Sequence, residues 1–178
     1  TQNNELKINA FSVYLIMCGI VAYKGPKNCY PILIDGLHRL EYRGYDSAGI
    51  ATIVNDYIDE KKCTGRVDNL EKILFKNPSS GSLGIGHVRW ATHGTPSQIN
   101  AHPHSSEEVS VVHNGIIENS NELKKDLEKK GYKFKSQTDT EVITLLLTDF
   151  LKNFDLISSI NKTLKKLNGS FALGILFK

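Results

Sequence analysis

The sequence places a cysteine directly behind its single methionine, in the run Met17-Cys18-Gly19-Ile20. An initiator methionine is removed when the residue after it is small, so Cys18 is the natural first residue of a chain that starts at Met17. An N-terminal cysteine carries a nucleophile and a base in one residue, because its α-amine, with a reference pKa of about 7.7 to 8.0, accepts the thiol proton near neutral pH. A structural cysteine buried in a strand is the commoner fate of a free cysteine. These residues alone leave nucleophilic catalysis and a structural role open.

Histidines offer a second kind of chemistry, because five of the six lie within 27 residues. The spacing of His102 and His104 fits a pair of zinc ligands. The sequence contains no H-E-x-x-H run, however, Pro103 separates the pair, and no cysteine is close in sequence. We therefore predict no metal site. The five histidines are His87, His93, His102, His104 and His113.

A phosphate-binding loop is the third hypothesis, and it rests on Gly81, Gly84 and Gly86. Such a loop needs its glycines after a strand and before a helix, so that backbone N–H groups point at the anion. Here the glycines precede or enter a predicted strand. They indicate a turn and a close-packed strand instead.

The composition limits the class of protein. The chain has 178 residues, of which 40% are hydrophobic and 23% charged, as in one compact domain or a large piece of one. A net charge of +3 is too small to indicate nucleic-acid binding, and the lysines at 124–135 are interleaved with acidic residues as on a solvated helix face. Three cysteines without a C-x-x-C pair argue against a disulfide framework and a zinc knuckle. We therefore predict a reducing compartment, the cytoplasm.

The elements that must position these residues alternate between strands and helices. The apolar run at 11–23 raises the question of a signal peptide, but no small-x-small cleavage pattern follows it, so a buried strand at 16–22 fits better. No other segment approaches the ~20 residues of a membrane span, and we predict a soluble protein. Loops too short for helical crossovers leave parallel and antiparallel pairing open. Further strands are predicted at 48–54, 83–90, 109–112 and 170–177, helices at 30–41, 68–75, 119–130 and 156–167, a hairpin or loop at 56–65, a long loop at 91–106, and a capping box at 138–141 that begins another helix.

Five motifs follow Cys18 in order, and with C-G-I-V at 18–21 they resemble the glutaminase domain of glucosamine-6-phosphate synthases, which are class II glutamine amidotransferases. The likeness runs from residue 17 to residue 178 without a large gap. Five ordered motifs make an accidental match very improbable. They are RGYDSAG at 43–49, HVRWATHG at 87–94, NAHPH at 100–104, HNGIIEN at 113–119 and TDTE at 138–141.

The resemblance implies an α+β fold of the Ntn-hydrolase type, a four-layer αββα sandwich of two antiparallel sheets between helical layers. It also implies hydrolysis of glutamine to glutamate and ammonia without a cofactor. Cys18 attacks the side-chain amide carbon with its own amine as base and forms a thioester that water hydrolyses. Asn114, through its side-chain amide, and Gly115, through its backbone N–H, donate to the oxyanion. Arg43 and Asp46 pair to hold the turn near Cys18.

The same resemblance implies how the charged head of glutamine is recognised. Arg89 grips the α-carboxylate as a two-pronged donor, and Asp139 pairs with the α-ammonium. Trp90 resembles the family's mobile aromatic residue, which closes over bound glutamine and helps to gate ammonia passage. Thr92 and His93 add hydrogen bonds. The structural alternatives are a surface salt bridge for Arg89, a helix cap for Asp139 and core packing for Trp90.

Two departures from the family bear on activity. Residues 1–16 precede the expected start and are vector-derived, upstream or a propeptide; while they stay attached, the nitrogen of Cys18 is an amide without base function, and we expect little or no glutaminase activity. The glutaminase domain, 17–178, stops short of the family's full domain. The sugar-isomerase domains, which use the ammonia to convert fructose 6-phosphate into glucosamine 6-phosphate, are absent. The full-length enzyme is expected to be a homo-oligomer.

Two alternative functions follow from the same residues. The glutaminase domain of phosphoribosyl-pyrophosphate amidotransferases shares the C-G-I start and the Asn-Gly oxyanion motif, but it would require departures from RWATHG at 89–94 that this sequence does not have. The other alternative is a catalytically silent module that binds glutamine, which a blocked Cys18 would favour.

Overall fold

A computed structural model describes residues 18–90 and 96–178 as two antiparallel sheets with helices on their outer faces. No helix in these two ranges is both long and apolar enough to cross a membrane. The first sheet has the strand order β1-β4-β2-β3, with β1 Gly19–Lys24, β2 Ser47–Val54, β3 Tyr57–Thr64 and β4 Leu83–Arg89. The second has the order β5-β6-β7, with β5 His104–Ser105, β6 Val109–Ile117 and β7 Gly169–Phe177. The helices are α1 Cys29–Leu40, α2 Val67–Lys76, α3 Ser120–Lys129, α4 Asp139–Leu151 and α5 Leu156–Lys166, and one 3₁₀ turn spans Glu41–Arg43.

Alternation of side chains along the strands divides the core into three layers of contact. In β2, Ile50 packs under α1 and α2, whereas its neighbour Ala51 faces the second sheet. In β6, Val111 packs under the helices of the other side, whereas Val112 joins Ala51 between the sheets. Each sheet is therefore covered by helices on one face and by the other sheet on the opposite face. The predicted αββα sandwich is confirmed.

The second sheet differs from the prediction in the length of one strand. The β-branched run at 109–112 predicts a short strand that ends before His113, but β6 continues to Ile117. The reason is the partner strand β7, which pairs Asn114 with Ala172 and Gly115 with Phe171. In the first sheet, the region predicted as a hairpin or loop at 56–65 contains the strand β3, which pairs with β2 along its whole length and so forms the hairpin.

The capping box predicted at the start of α4 does not form. The Thr138 hydroxyl contacts His104 Nε2 at 2.8 Å and Ser136 Oγ at 3.0 Å, so it does not cap the helix. The Glu141 carboxylate accepts instead from the backbone N–H groups of Lys135, at 2.9 Å, and Ser136, at 2.6 Å. These contacts anchor the loop before α4, and with it the first residue of the helix.

The packing of α1 on the first sheet predicts a large stability effect at Leu37. This side chain is fully buried, and it lies close enough to Gly86 that a Cβ there would come within 3.2 Å of Leu37 Cδ1. We expect Leu37→Ala to lower the free energy of unfolding by about 2–5 kcal/mol, because it leaves a cavity that the strand cannot fill. Urea unfolding measures the change. Leu164→Ala, at a position 40% exposed, is the matched control and should cost less than half as much; equal losses would contradict the packing argument.

Candidate active site

Cys18 lies where β1 begins and β4 ends. Gly19 pairs with Val88 across the two antiparallel strands, which sets Cys18 beside Arg89 and Trp90. The backbone N–H of Trp90 donates to Cys18 Sγ at 3.2 Å, and the thiol faces Trp90 O at 3.5 Å. Burial raises the pKa of the Cys18 thiol, and neither that N–H nor the charge of Arg89 reverses the shift. The thiol therefore needs a base before it can act as a nucleophile.

The second sheet brings an amide to the same place. The Asn114 side chain donates from Nδ2 to Cys18 O at 2.9 Å, although 96 residues separate the two in sequence. Gly115 follows in β6 with φ +124, and a Cβ there would clash with Ser170 O of β7. Glycine is therefore required at this position. The structure thus joins Cys18 and Asn114, as the motifs suggest, and Gly115 follows Asn114 in β6.

Arg89 is the last residue of β4, and its side chain is 4% exposed. Its Nη1 lies 3.9 Å from Asp46 Oδ1, and Asp46 N donates to Arg89 O at 2.8 Å. The prediction paired Asp46 with Arg43, whose side chain lies outside the described residues. These two contacts of Asp46 with Arg89 connect the turn before β2 to the end of β4.

Trp90 follows Arg89, and its side chain is 38% exposed. Its six-membered ring lies so close to Gly44 that a Cβ there would clash with it, and Gly44 has φ +112. The indole thus packs against the backbone at Gly44. Thr92 and His93, the two further residues predicted to bind glutamine, lie outside the described residues.

Asp139 is the first residue of α4, and its carboxylate faces the end of β6. Oδ2 accepts from Ile117 N at 2.8 Å, and Oδ1 lies 3.6 Å from His113 Nδ1. Burial by itself would raise the pKa of Asp139, but the His113 imidazole and the Ile117 N–H outweigh burial and lower it. The carboxylate is therefore an anion at neutral pH and can attract a cation.

Four of the five clustered histidines are buried together, and we call them the histidine cluster: His87, His102, His104 and His113. The rings of His87 and His102 stack at 4.5 Å, and His102 and His104 meet edge to face at 5.0 Å. Thr140 Oγ1 contacts His102 Nε2 at 2.6 Å and His113 Nδ1 at 3.0 Å. Burial lowers the pKa of His87 to about 4 and of His104 to about 3, and it holds the pKa of His102 well below its usual range. These three rings are therefore neutral near pH 7.

One contact of the histidine cluster was not predicted from the motifs. His87 Nε2 lies 2.9 Å from Asn114 Oδ1. A signal for this contact exists in the spacing, because residues 87 and 89 of one strand share a face, so a site that contains Arg89 also receives His87.

Among the described residues, the group of side chains that could hold a metal ion lies outside the histidine cluster. Within the described ranges, the group of three metal-type ligand atoms that lie within 4.8 Å of one another is at His38, Asp68 and Glu71, on α1 and α2. The two acidic side chains of that group are exposed. The histidines that suggested zinc have hydroxyl and amide partners instead.

Comparison with known proteins gives a family match and close relatives. The family model described as "Glutamine amidotransferase domain" matches residues 87–178. The "Glutamine--fructose-6-phosphate aminotransferase [isomerizing]" of Clostridium acetobutylicum is 55% identical over 161 residues, which is 89% of this chain and 26% of the relative. The protein of the same name from Mesorhizobium japonicum is 50% identical over 163 residues, 91% of this chain and 27% of the relative. The chain thus spans about a quarter of the length of the curated relatives that it matches.

Solved structures share the fold. The glutamine phosphoribosylpyrophosphate amidotransferase of B. subtilis, in complex with ADP and GMP, has a TM-score of 0.76 and 30% identity and covers 90% of this chain and 35% of its own. A structure described as the allosteric regulatory enzyme of purine biosynthesis has a TM-score of 0.75 at 30% identity, over the same shares of the two chains.

Proposed function

The chain belongs to the family of glutamine amidotransferase domains, and from that membership we propose that it hydrolyses glutamine to glutamate and ammonia with Cys18 as the nucleophile. The observation that carries the proposal is the 2.9 Å contact from Asn114 Nδ2 to Cys18 O, which puts an amide donor at the backbone of the nucleophilic residue. This reaction needs a nucleophile and a hydrogen-bond donor for the negative charge that develops on the amide oxygen. It also needs a cationic and an anionic side chain to bind the α-carboxylate and the α-ammonium of glutamine.

The reaction proceeds in two steps at Cys18. Its α-amine accepts the thiol proton, Sγ attacks the side-chain amide carbon of glutamine, and the tetrahedral intermediate expels ammonia with that proton to leave a thioester. Water then attacks the thioester with the same amine as base and releases glutamate and the free thiol. Asn114 Nδ2 and the backbone N–H of Gly115 stabilise the oxyanion of each tetrahedral intermediate, and one such donor contributes about 3–4 kcal/mol.

The substrate head is recognised by charge at both ends. Arg89 binds the α-carboxylate and Asp139 the α-ammonium; burial of Arg89 and the lowered pKa of Asp139 support these roles. Trp90 covers the bound substrate, and Thr92 and His93 contribute hydrogen bonds.

The base function requires a free α-amine, so the active form begins at Cys18. Residues 1–17 are absent from that form, by removal of an initiator methionine or of a longer segment. Three free cysteines support a reducing location, and we place the enzyme in the cytoplasm.

The whole protein delivers its ammonia to a second substrate. The aminotransferase relatives are 50–55% identical, whereas the phosphoribosylpyrophosphate amidotransferase is 30% identical, which favours fructose 6-phosphate as the acceptor and glucosamine 6-phosphate as the product. The relatives' greater length leaves room for sugar-isomerase domains, and the full-length enzyme acts as a homo-oligomer. The same difference in identity disfavours the alternative that the chain is the glutaminase domain of a phosphoribosyl-pyrophosphate amidotransferase.

The function is tested with the chain that begins at Cys18. Incubation with glutamine should release glutamate and ammonia in equal amounts, while asparagine, one methylene shorter, should release neither at a comparable rate. A folded chain that begins at Cys18 and forms no glutamate would overturn the proposal and favour a silent glutamine-binding module.

The carboxylate contact predicts a defect in substrate binding for Arg89→Lys. Lysine keeps the positive charge but loses the planar fork that binds a carboxylate with two hydrogen bonds. We expect KM for glutamine to rise by about 10- to 100-fold, with a smaller change in kcat. Steady-state glutaminase kinetics measure both. Arg39→Lys on the surface of α1, where Arg39 pairs with Asp35, is the matched control and should leave KM unchanged; an unchanged KM for Arg89→Lys would rule out the role.

A further inference from the structure

We propose that His87 is a positioning residue for glutamine hydrolysis, because it holds the Asn114 amide with its N–H groups toward Cys18 and the developing oxyanion. This inference rests on the proposed function and gives His87, which opens the motif at 87–94, a role that the resemblance did not assign. The contact that carries it is His87 Nε2 to Asn114 Oδ1 at 2.9 Å.

The hydrogen-bond pattern fixes which atom donates. Cys18 O is a carbonyl oxygen and can only accept, so the group 2.9 Å from it must be the Asn114 nitrogen. Oδ1 then faces His87, and Nε2 must carry the proton that it donates. A turned-over amide would set Oδ1 against Cys18 O and two N–H groups against the N–H of His87.

His87 is suited to be a fixed, neutral donor. Its side chain is 1% exposed, and its backbone lies between two strands, with Ile20 of β1 and Gly49 of β2 as register partners. Nδ1 is buried and makes no hydrogen bond with the described residues. Burial lowers the pKa of His87 to about 4, which keeps the ring neutral near pH 7.

A second buried histidine packs against the ring of His87. His102 stacks on His87 at 4.5 Å, and His102 Nε2 contacts Thr140 Oγ1 of α4 at 2.6 Å. The imidazole therefore cannot turn away from Asn114 without displacing a second buried ring. The histidine cluster thus connects the oxyanion donor to the helix whose first residue is Asp139.

The catalytic consequence follows from the last torsion of an asparagine side chain, which has a broad and roughly two-fold profile. Without a partner for Oδ1, the amide can turn over and present an acceptor to the oxyanion, which would repel it. The N–H of His87 disfavours that state and also polarises the amide, which strengthens its N–H groups as donors. The effect concerns the transition state more than the bound substrate.

The first experiment compares variants in the chain that begins at Cys18. His87→Leu should lower kcat by about 10- to 100-fold, less than the loss of 10²–10³ typical when an oxyanion donor is removed, with KM within about 3-fold of the original value. His87→Gln returns a donor near the position of Nε2 and should restore kcat to within about 5-fold. His38→Leu, in α1, is the matched control and should leave both constants unchanged.

A double-mutant cycle separates positioning from a general structural role. Because His87 acts through Asn114, the variant that combines His87→Leu with Asn114→Ala should have the kcat of Asn114→Ala alone. Losses that multiply would overturn the proposal. If the original chain hydrolyses glutamine and His87→Leu is equally active, the positioning role fails while the proposed function stands; if the original chain is inactive, the proposed function itself fails.

The tautomer gives a test that needs no variant. Nitrogen-15 NMR of the original protein labelled at histidine should show a neutral His87 ring with its proton on Nε2 at pH 7. A neutral ring protonated on Nδ1 could not donate from Nε2 to Asn114, and a ring protonated on both nitrogens would not be neutral. Either result would overturn the proposal, even if His87→Leu failed to fold.

Discussion

Replacing Cys18 by alanine in the chain that begins at this residue is expected to abolish glutamine hydrolysis, with kcat lowered by about 10⁴-fold or more. No other thiol can take its place, because Cys29, in α1, and Cys63, in β3, are buried in the hydrophobic core between the first sheet and its helices. Cys18→Ser should be nearly as inactive, since a hydroxyl is a far weaker nucleophile than a thiol toward the same amine base. Glutamate release, followed over hours, measures the residual rate.

The control for this prediction is Cys63→Ala, which removes a thiol that is 8% exposed and takes no part in the proposed chemistry. Its kcat should equal that of the original chain, even where it unfolds at a slightly lower urea concentration. Glutamine turnover by a folded Cys18→Ala variant would show that the nucleophile has been misassigned.

A second large effect is expected from any residue left attached in front of Cys18. An amide nitrogen cannot accept the thiol proton, and burial raises the pKa of Cys18, so little thiolate forms without the amine. We expect the extended chain to have less than about one thousandth of the activity of the chain that begins at Cys18. Mass spectrometry of the N-terminus, paired with the glutaminase assay on the same sample, makes the comparison.

The requirement for a free α-amine also predicts how activity changes with pH. The amine must be neutral to act as a base, so kcat/KM should rise with pH to a plateau above its pKa, about 7.7 to 8.0 in model compounds, and should fall tenfold per pH unit well below it. Acetylation of the amine should remove both the activity and this limb of the profile. Full activity with Thr1 still attached would disprove the α-amine mechanism.

Elements with strong local patterns could be predicted from the sequence. Leucines at i, i+4 and i+7 mark α1, and the observed helix Cys29–Leu40 differs from the predicted 30–41 by one residue at each end. β2 and β4 are also within one residue of their predicted limits. The local pattern is insufficient where a residue distant in sequence decides the structure. The second half of β6 forms because β7 pairs with it. The Thr138 hydroxyl contacts His104 and therefore does not cap α4.

The same division holds for the candidate site. Motifs suggested Cys18, Asn114 and Asp139, which lie directly before β1, within β6 and at the start of α4. The spacing of the motif at 87–94 places His87 on the same strand face as Arg89, but its contact with Asn114 depends on which residue of the second sheet faces β4 across the sandwich. Only the strand register and the inter-sheet packing supply that information.

The pairing of β6 with β7 also determines when this site can exist during synthesis. Cys18 leaves the ribosome early, but Gly115 has Ser170 O as its neighbour and Phe171 as its register partner, and these residues are made more than fifty positions later. The nascent chain therefore contains the Cys18 thiol long before β7 is available to pair with the part of β6 that contains Asn114 and Gly115. Because domains fold as units once their contacts are complete, we expect the proposed hydrolysis to begin only after residues 169–177 have emerged. The strand topology would thus delay the proposed release of ammonia until the domain is complete.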